Sequence, residues 1–230
     1  MSLDKSGTTV SLDHGTTKVY GVQISLFGTP GLERFEVIRK ILSKGADGII
    51  FIIDSLNEAS FEEARGLWNT FRENFPPEVP VVILANKQDI EGVLSADEII
   101  EHLKLENLSK EVPVIGVSAR DGTNVDKSLS LIVLSVMSRY YHILKAVRDA
   151  GNDGIPGIAE KFKEYLPSDK WENINLIPLL QWLAWRGLIN IYHQTFDKFT
   201  VPQRILEIVE IFEFIKNFSL DVLETPRLIL

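Results

Sequence analysis

The amino-acid sequence predicts an α/β protein with a doubly wound, mostly parallel sheet, followed by a small C-terminal helical domain. Apolar β-type runs alternate with helical patterns as far as residue 148, which is typical of a sheet covered on both faces. The run 48–54, Gly-Ile-Ile-Phe-Ile-Ile-Asp, is apolar up to its last residue, as expected of a fully buried strand. Polar residues follow three of the predicted strands, at the edge where such sheets bind ligands.

The predicted elements begin with two strands, 8–14 and 19–27, joined by a hairpin turn around Gly15. Ser95 and Glu98 form a capping-box pattern that predicts a helix start. The elements after the hairpin alternate between helix and strand: helix 33–44, strand 48–54, helix 60–74, strand 79–85, helix 96–103, strand 112–117 and a long helix from 123 to 140.

The composition changes near residue 150, where Gly, Asn and Pro become frequent. We therefore predict a first domain over 1–148, a linker over 149–157 and a second domain over 158–230. The sequence of the second domain predicts two helices, a short hairpin and a last helix, with Pro202 in the first turn of the last helix. This order resembles a winged helix, so we expect a winged-helix-like interaction domain.

Bulk composition excludes several classes of protein. The chain of 230 residues has no cysteine, which excludes disulfides and thiolate metal sites and fits a reducing cytoplasm. Its net charge of −8 argues against broad non-specific binding of nucleic acid. No apolar run reaches the roughly 18–20 residues that a membrane helix needs. We expect a cytoplasmic protein and leave membrane association open.

The strand ends carry three signatures in a fixed order: Gly-Thr-Pro-Gly-Leu at 28–32, Asn-Lys-Gln-Asp at 86–89 and Ser-Ala at 118–119. Together they resemble the small GTPases of the Ras superfamily, nearest the Arf-like and bacterial gliding-type branches, over about residues 8–148. The resemblance implies a G domain of the P-loop NTPase type. It also implies a molecular switch that binds GTP or GDP together with Mg²⁺.

Base recognition follows from the chemistry of the second signature. A carboxylate at its fourth position, Asp89, can accept hydrogen bonds from both the N1–H and the 2-amino group of guanine. Adenine lacks that pair of donors, so a buried mismatch gives selectivity. The resemblance further assigns base contacts to Asn86 and to the stem of Lys87. It assigns loop stabilisation to Ser118 and a hydrogen bond from the N–H of Ala119 to guanine O6.

The phosphate side rests on the resemblance and departs from the family in two places. Thr9, with Thr8 as the alternative, would be the switch threonine that closes over Mg²⁺ and the γ-phosphate, and the N–H of Gly31 would meet that phosphate. Gly28 stands where most members have Asp. Leu32 stands where the catalytic Gln orients water, and leucine has no donor or acceptor. We expect slow intrinsic GTP hydrolysis.

The pattern Gly-x-x-x-x-Gly-Lys-Ser/Thr is missing from these 230 residues. In the family, that phosphate loop and the central strand before it precede the switch threonine. Two explanations stay open: Met1 is an internal methionine of a longer reading frame that encodes the loop, or the chain is a degenerate G domain that serves as a nucleotide-free scaffold. GTPase activity is expected only in the first case.

Partners are expected at two places. The switch surface Thr8–Arg34 and the C-terminal domain would each bind an effector or regulator protein. A weaker alternative is nucleic-acid binding through Arg186, Lys198 and Arg204, against which the nearly balanced charge of that domain argues. The pair of tryptophans at 182 and 185 is interpreted as core rather than as a stacking platform.

Overall fold

The computed structural model describes residues 13–29, 45–74, 79–103, 112–166, 175–192 and 198–218. The chain forms two compact units. Unit 1 comprises the chain up to Val136 except for Tyr20–Val22. Unit 2 comprises Tyr20–Val22 and the chain from Met137 onward.

The first two strands, β1 (Asp13–Val19) and β2 (Val22–Gly28), form a two-stranded sheet of their own. The turn lies at Tyr20 and Gly21, whose φ angles are +50° and +71°. Two successive positive φ angles suit the right-handed twist of a hairpin. The predicted turn at Gly15 is therefore wrong, because Gly15 lies inside β1.

The central sheet of unit 1 is parallel, as predicted, with the order β3 (Ile49–Asp54), β4 (Val81–Asn86) and β5 (Val114–Gly116). All of β4 up to Ala85 is buried, which agrees with its position between two neighbours. Among the described strands β3 pairs with β4 alone, and Ile52 on β3 is 63% exposed.

Helices α1 (Phe61–Asn74) and α2 (Ala96–His102) lie in unit 1. Helix α3 (Val125–Ser138) begins in unit 1, and its last two residues belong to unit 2. The predicted capping box is present, because the Ser95 side chain accepts from the N–H of Glu98 while the Glu98 side chain accepts from Ser95. The core of unit 1 is formed by buried apolar side chains of strands and helices: Ile53, Phe61, Trp68, Val81, Ile83, Ala85, Ile99, Leu103 and Val112.

Unit 2 contains four helices and a short antiparallel pair of strands in its described residues: α4 (Tyr141–Ala150), α5 (Gly154–Tyr165), α6 (Leu176–Trp185), β6 (Asn190–Tyr192), β7 (Lys198–Thr200) and α7 (Gln203–Phe218). From α5 onward the order is helix, helix, hairpin, helix, as the sequence predicts. The winged-helix assignment itself stays a prediction. None of the described helices is both long and apolar enough to cross a membrane.

The elements observed between residues 123 and 157 differ from the predicted helix and linker. The long helix predicted through Tyr140 ends at Ser138, and α4 begins at Tyr141. The predicted linker, 149–157, covers the end of α4, a turn and the start of α5. Gly151 in the turn and Gly154 at the start of α5 have φ of +57° and +58°, so glycine bends the chain between two packed helices.

Candidate functional site

The carboxyl ends of three parallel strands meet at one edge of the sheet in unit 1. The register pairs Asp54 with Asn86 and Ala85 with Gly116. The segments that follow β3, β4 and β5 therefore emerge side by side. We call the segments 54–55, 86–89 and 118–119 at this edge the base edge, because the sequence predicts that two of them contact a nucleotide base.

Three hydrogen bonds join the segment 86–89 to residues 117–119. Asn86 Oδ1 accepts from the backbone N–H of Ala119 at 3.0 Å, and Asp89 Oδ1 accepts from Ser118 Oγ at 2.9 Å. The backbone N–H of Gln88 donates to the carbonyl of Val117 at 3.1 Å. The structure thus brings together Asn86, Lys87, Asp89, Ser118 and Ala119, the predicted site residues that lie among the described ones.

A tight turn after β5 holds Ser118, which is fully buried. Its N–H donates to the carbonyl of Thr123 at 3.1 Å, and its Oγ accepts from the N–H of Asp121 at 3.3 Å. The N–H of Thr123 donates to Asp121 Oδ1 at 2.9 Å, which lowers the pKa of that carboxyl. Asn124, at φ +57°, donates to the carbonyl of Gly116 at 2.8 Å and so ties the start of α3 to β5.

Contacts from the end of β3 hold the segment 86–89 in place, and the residues that make them were not among the predicted site residues. Lys87 Nζ lies 2.7 Å from Asp54 Oδ2, and both side chains are partly exposed. Gln88 Nε2 donates to Ser55 Oγ at 3.1 Å and to the carbonyl of Leu94 at 2.9 Å. Asp54 could have been found from the sequence, because it ends an apolar strand at the edge of the sheet where such proteins bind ligands.

Asp89 carries the carboxylate that the prediction assigns to base recognition. Its side chain is only 13% exposed, although the residue as a whole is exposed. Arg120, itself 85% exposed, lies 3.6 Å from Asp89 Oδ2. A carboxylate has about four lone-pair sites, so the bond from Ser118 leaves acceptor capacity for two adjacent N–H donors. The acceptor capacity of Asp89 therefore fits the two adjacent N–H donors of guanine.

The N–H of Ala119 is engaged differently from the expectation. The resemblance assigns it to guanine O6, whereas in the structure it donates to Asn86 Oδ1. A ligand oxygen at this position would have to share that N–H with Asn86 or take it over.

The phosphate side of the predicted site falls outside the described residues. Thr8, Thr9, Gly31 and Leu32 lie there, together with the rest of the switch surface up to Arg34, whereas Gly28 is the last residue of β2. Within the described ranges no three His, Asp or Glu side chains are arranged to hold a metal ion. The Mg²⁺ ligand Thr9 therefore stays a prediction.

Two of the three basic residues considered for nucleic acid make contacts inside unit 2. The guanidinium of Arg186 lies 5.0 Å from the ring centroid of Trp182 and 5.3 Å from that of Trp185. Arg204 Nη2 donates to the carbonyl of Gly187 at 3.0 Å. The interpretation of both tryptophans as core is wrong for Trp185, which is 79% exposed.

Comparison with known proteins supports the interpretation of unit 1. A sequence model of the ADP-ribosylation factor family matches residues 3–136 of the chain. Human ADP-ribosylation factor-like protein 4D is 30% identical over 122 residues, which cover 52% of this chain and 61% of that protein. The Ypt/Rab-type GTPase YPT7 of Saccharomyces cerevisiae is 29% identical over 139 residues, covering 57% and 65% respectively.

A third relative also matches slightly more than half of the chain. Rat Ras-related protein Rab-13 is 30% identical over 126 residues, covering 53% of this chain and 60% of that protein. The chain thus spans about 61% of the length of the first curated relatives that it matches. The matched family region ends close to the boundary of unit 1.

Proposed function

This chain belongs to the ADP-ribosylation factor family of small GTPases, and we propose that it is a molecular switch that binds GTP and GDP. Asn86, Lys87 and Asp89 read the guanine base, and Ser118 and Ala119 complete the base site. Thr9 would supply a hydroxyl ligand to Mg²⁺, and the N–H of Gly31 would donate to the γ-phosphate. GTP hydrolysis requires a phosphate loop, a pattern that these 230 residues do not contain.

One observation carries the proposal. A carboxylate, a carboxamide and a backbone N–H from two different strand ends lie within one hydrogen-bonded cluster at the carboxyl edge of a parallel sheet. Asp89 is held in place by Ser118 and retains lone pairs for the two neighbouring donors of guanine. The same carboxylate would face an acceptor, N1, in adenine and leave a charged group unpaired.

The test is titration of the purified 230-residue chain with a fluorescent GDP analogue in the presence of Mg²⁺, with GDP and ADP as competitors. We expect displacement by GDP and none by ADP at equal concentration. Asp89→Asn removes one acceptor and places a donor against donors, so we expect it to weaken GDP binding at least about 100-fold. Asp97→Asn, an equal charge change in the first turn of α2, is the matched control.

A nucleotide-free scaffold is the second candidate function. It is favoured by Gly28 and Leu32, which replace an Mg²⁺-linked Asp and the catalytic Gln of the family. The N–H of Ala119, which the first candidate assigns to guanine O6, is in addition already engaged by Asn86. If the folded 230-residue chain binds neither GDP nor GTP, two explanations remain: the scaffold, and a switch whose phosphate loop is encoded upstream of residue 1. Adding back the upstream codons would separate them, because GDP binding by the longer protein contradicts the scaffold.

Slow intrinsic hydrolysis is part of the first candidate. Leu32 has no polar atom with which to orient water, whereas a glutamine at this position does so in related enzymes. In a longer form of the protein that includes the phosphate loop, we expect single-turnover hydrolysis of GTP to be faster with Leu32→Gln than with Leu32. A variant without acceleration would show that Leu32 is not the residue that limits hydrolysis.

Partner binding and localisation complete the proposal. The surface Thr8–Arg34 would bind an effector or regulator in a nucleotide-dependent manner, and the C-terminal domain would bind a protein partner. We propose a cytoplasmic protein without specific nucleic-acid binding. A GTP-dependent pull-down that loses its partner when residues 8–34 are changed, but not when residues 158–230 are changed, would separate the two surfaces.

A further inference from the structure

The segment 86–89 is fastened to the end of β3 as well as to the turn after β5. Ser55 donates its backbone N–H to the carbonyl of Asn86 at 3.1 Å, which extends the parallel ladder by one bond. The side chain of Gln88 donates to Ser55 and to the carbonyl of Leu94. Ser55 is 2% exposed, so this fastening is mostly shielded from solvent.

Lys87 stands in the middle of this segment with a backbone conformation that L-residues rarely adopt. Its φ is +75°, in the left-handed region. Such a conformation persists where the surroundings fix it, and here Gln88 is held on one side while Asp54 holds the Lys87 side chain.

The carboxylate of Asp54 makes two contacts with different roles. Oδ1 accepts from the backbone N–H of Leu56 at 3.0 Å and so closes the turn that follows β3. Oδ2 accepts from Lys87 Nζ at 2.7 Å. One side chain therefore links the conformation of this turn to the position of the lysine ammonium.

We propose that Asp54 is a positioning residue for base recognition that acts through Lys87. This inference rests on the proposed function, because it needs guanine as the ligand. With its ammonium held by Asp54, the methylene stem of Lys87 is fixed in one direction and presents an apolar face to a purine ring. Without Asp54 the charged end moves in solvent, and the stem must be ordered anew each time a base binds.

The chemistry of the pair separates this role from a merely structural one. Ion pairs as exposed as this one contribute little to stability, so removing the charge should leave the fold intact. Asp54→Asn keeps an oxygen for the N–H of Leu56 but removes the charge that holds Lys87. Lys87→Met keeps the apolar stem and removes the ammonium on which Asp54 acts.

The experiment measures the dissociation constant of the fluorescent GDP analogue for the full chain, with Mg²⁺, in four proteins: unaltered, Asp54→Asn, Lys87→Met and the double variant. We expect Asp54→Asn to weaken binding about three- to tenfold. We expect the double variant to bind as Lys87→Met does. Glu62→Gln, which removes the same charge from an ion pair with Arg65 inside α1, should bind as the unaltered protein does.

Each result has a distinct meaning. An unaltered chain that shows no preference for GDP over ADP contradicts the proposed function, and this inference with it. A guanine-selective chain whose Asp54→Asn variant binds as tightly contradicts this inference alone. It is also overturned if Asp54→Asn weakens binding by the same factor in the Lys87→Met background, because the carboxylate would then act through the turn at Leu56.

Discussion

The base edge of unit 1 and the helical core of unit 2 use polar side chains in different ways. At the base edge, Asp89 and Ser118 link one strand-end loop to another. In unit 2, Arg148 on α4 donates two hydrogen bonds to Glu213 on α7, at 3.0 and 2.9 Å, and pairs with its neighbour Asp149. The first arrangement fixes the conformation of loops, whereas the second adds to the packing of helices.

The two regions also differ in how deeply their side chains are buried. The helices of unit 2 pack around fully buried apolar side chains, among them Ile143, Leu183 and Ile205. At the base edge Lys87 is half-buried and Ala119 is exposed. Substitutions at the base edge should therefore change ligand affinity more than stability, and substitutions in unit 2 should do the reverse.

Leu183→Ala should have the largest effect and act on stability alone. Leu183 is fully buried in α6, and truncation of such a leucine costs about 2–5 kcal/mol of unfolding free energy. Hydrogen exchange of peptides from unit 2 measures this loss, and GDP affinity should stay within about twofold. Ile177→Ala on the same helix, at a side chain that is 48% exposed, is the control and should cost much less. A large loss of GDP affinity in Leu183→Ala would break the comparison.

Ser118→Ala should act at the base edge and chiefly on affinity. The change removes the donor to Asp89 and the acceptor for the N–H of Asp121, at a cost of about 1–3 kcal/mol divided between binding and stability. We expect GDP to bind about tenfold more weakly. Ser128→Ala is a close control, because Ser128 is also buried but donates only to the carbonyl of Asn124 at 2.8 Å. Equal losses in both variants would show that the hydroxyl of Ser118 has no special role.

The sequence predicted the parallel sheet because a buried strand leaves a direct trace in composition. This holds for β4, which is apolar and buried up to Ala85. The run 49–53 is apolar at every position too, but the expectation that it is fully buried is wrong, because only Ile53 is buried there and Ile52 is 63% exposed. The hairpin turn was missed for a local reason. Gly15 is the more obvious turn residue, yet Tyr20 adopts φ +50° beside Gly21, and nothing in the tyrosine side chain signals a left-handed conformation.

The predicted part of the site depends on residues that are adjacent in sequence. Asn86 to Asp89 are consecutive, whereas Asp54 is 33 residues from Lys87, and only the parallel register brings the two together. The break between α3 and α4 was missed for a similar reason. The apolar stripe continues across Arg139 and Tyr140, so periodicity alone cannot show that the helix ends there.

Glu213→Gln should have a smaller effect, in unit 2, and one that depends on pH. The hydrogen bonds from Arg148 lower the pKa of Glu213 below its usual value of 4.5. A carboxyl whose folded pKa is depressed contributes stability above its unfolded pKa, and this contribution is lost as the pH falls through the folded pKa. We expect the variant to lose about 1 kcal/mol at pH 7, and the difference to shrink as the pH falls below 4.5 and through the depressed pKa of Glu213. Glu164→Gln, whose partner Lys161 lies one turn away, should lose less at every pH. A difference that does not shrink at low pH would assign the effect to packing.

Arg120→Ala should have the smallest effect. It compares two neighbours of Asp89 within the base edge, the Arg120 guanidinium and the Ser118 hydroxyl. Arg120 is 85% exposed and lies 3.6 Å from Asp89, so water and salt screen the pair. We expect GDP affinity to change less than about threefold, with the difference from the unaltered protein shrinking as ionic strength rises. Asp89 would then owe its position to the bond from Ser118 rather than to the nearby positive charge. A loss as large as that of Ser118→Ala, unchanged at high salt, would show that Arg120 contacts the ligand directly.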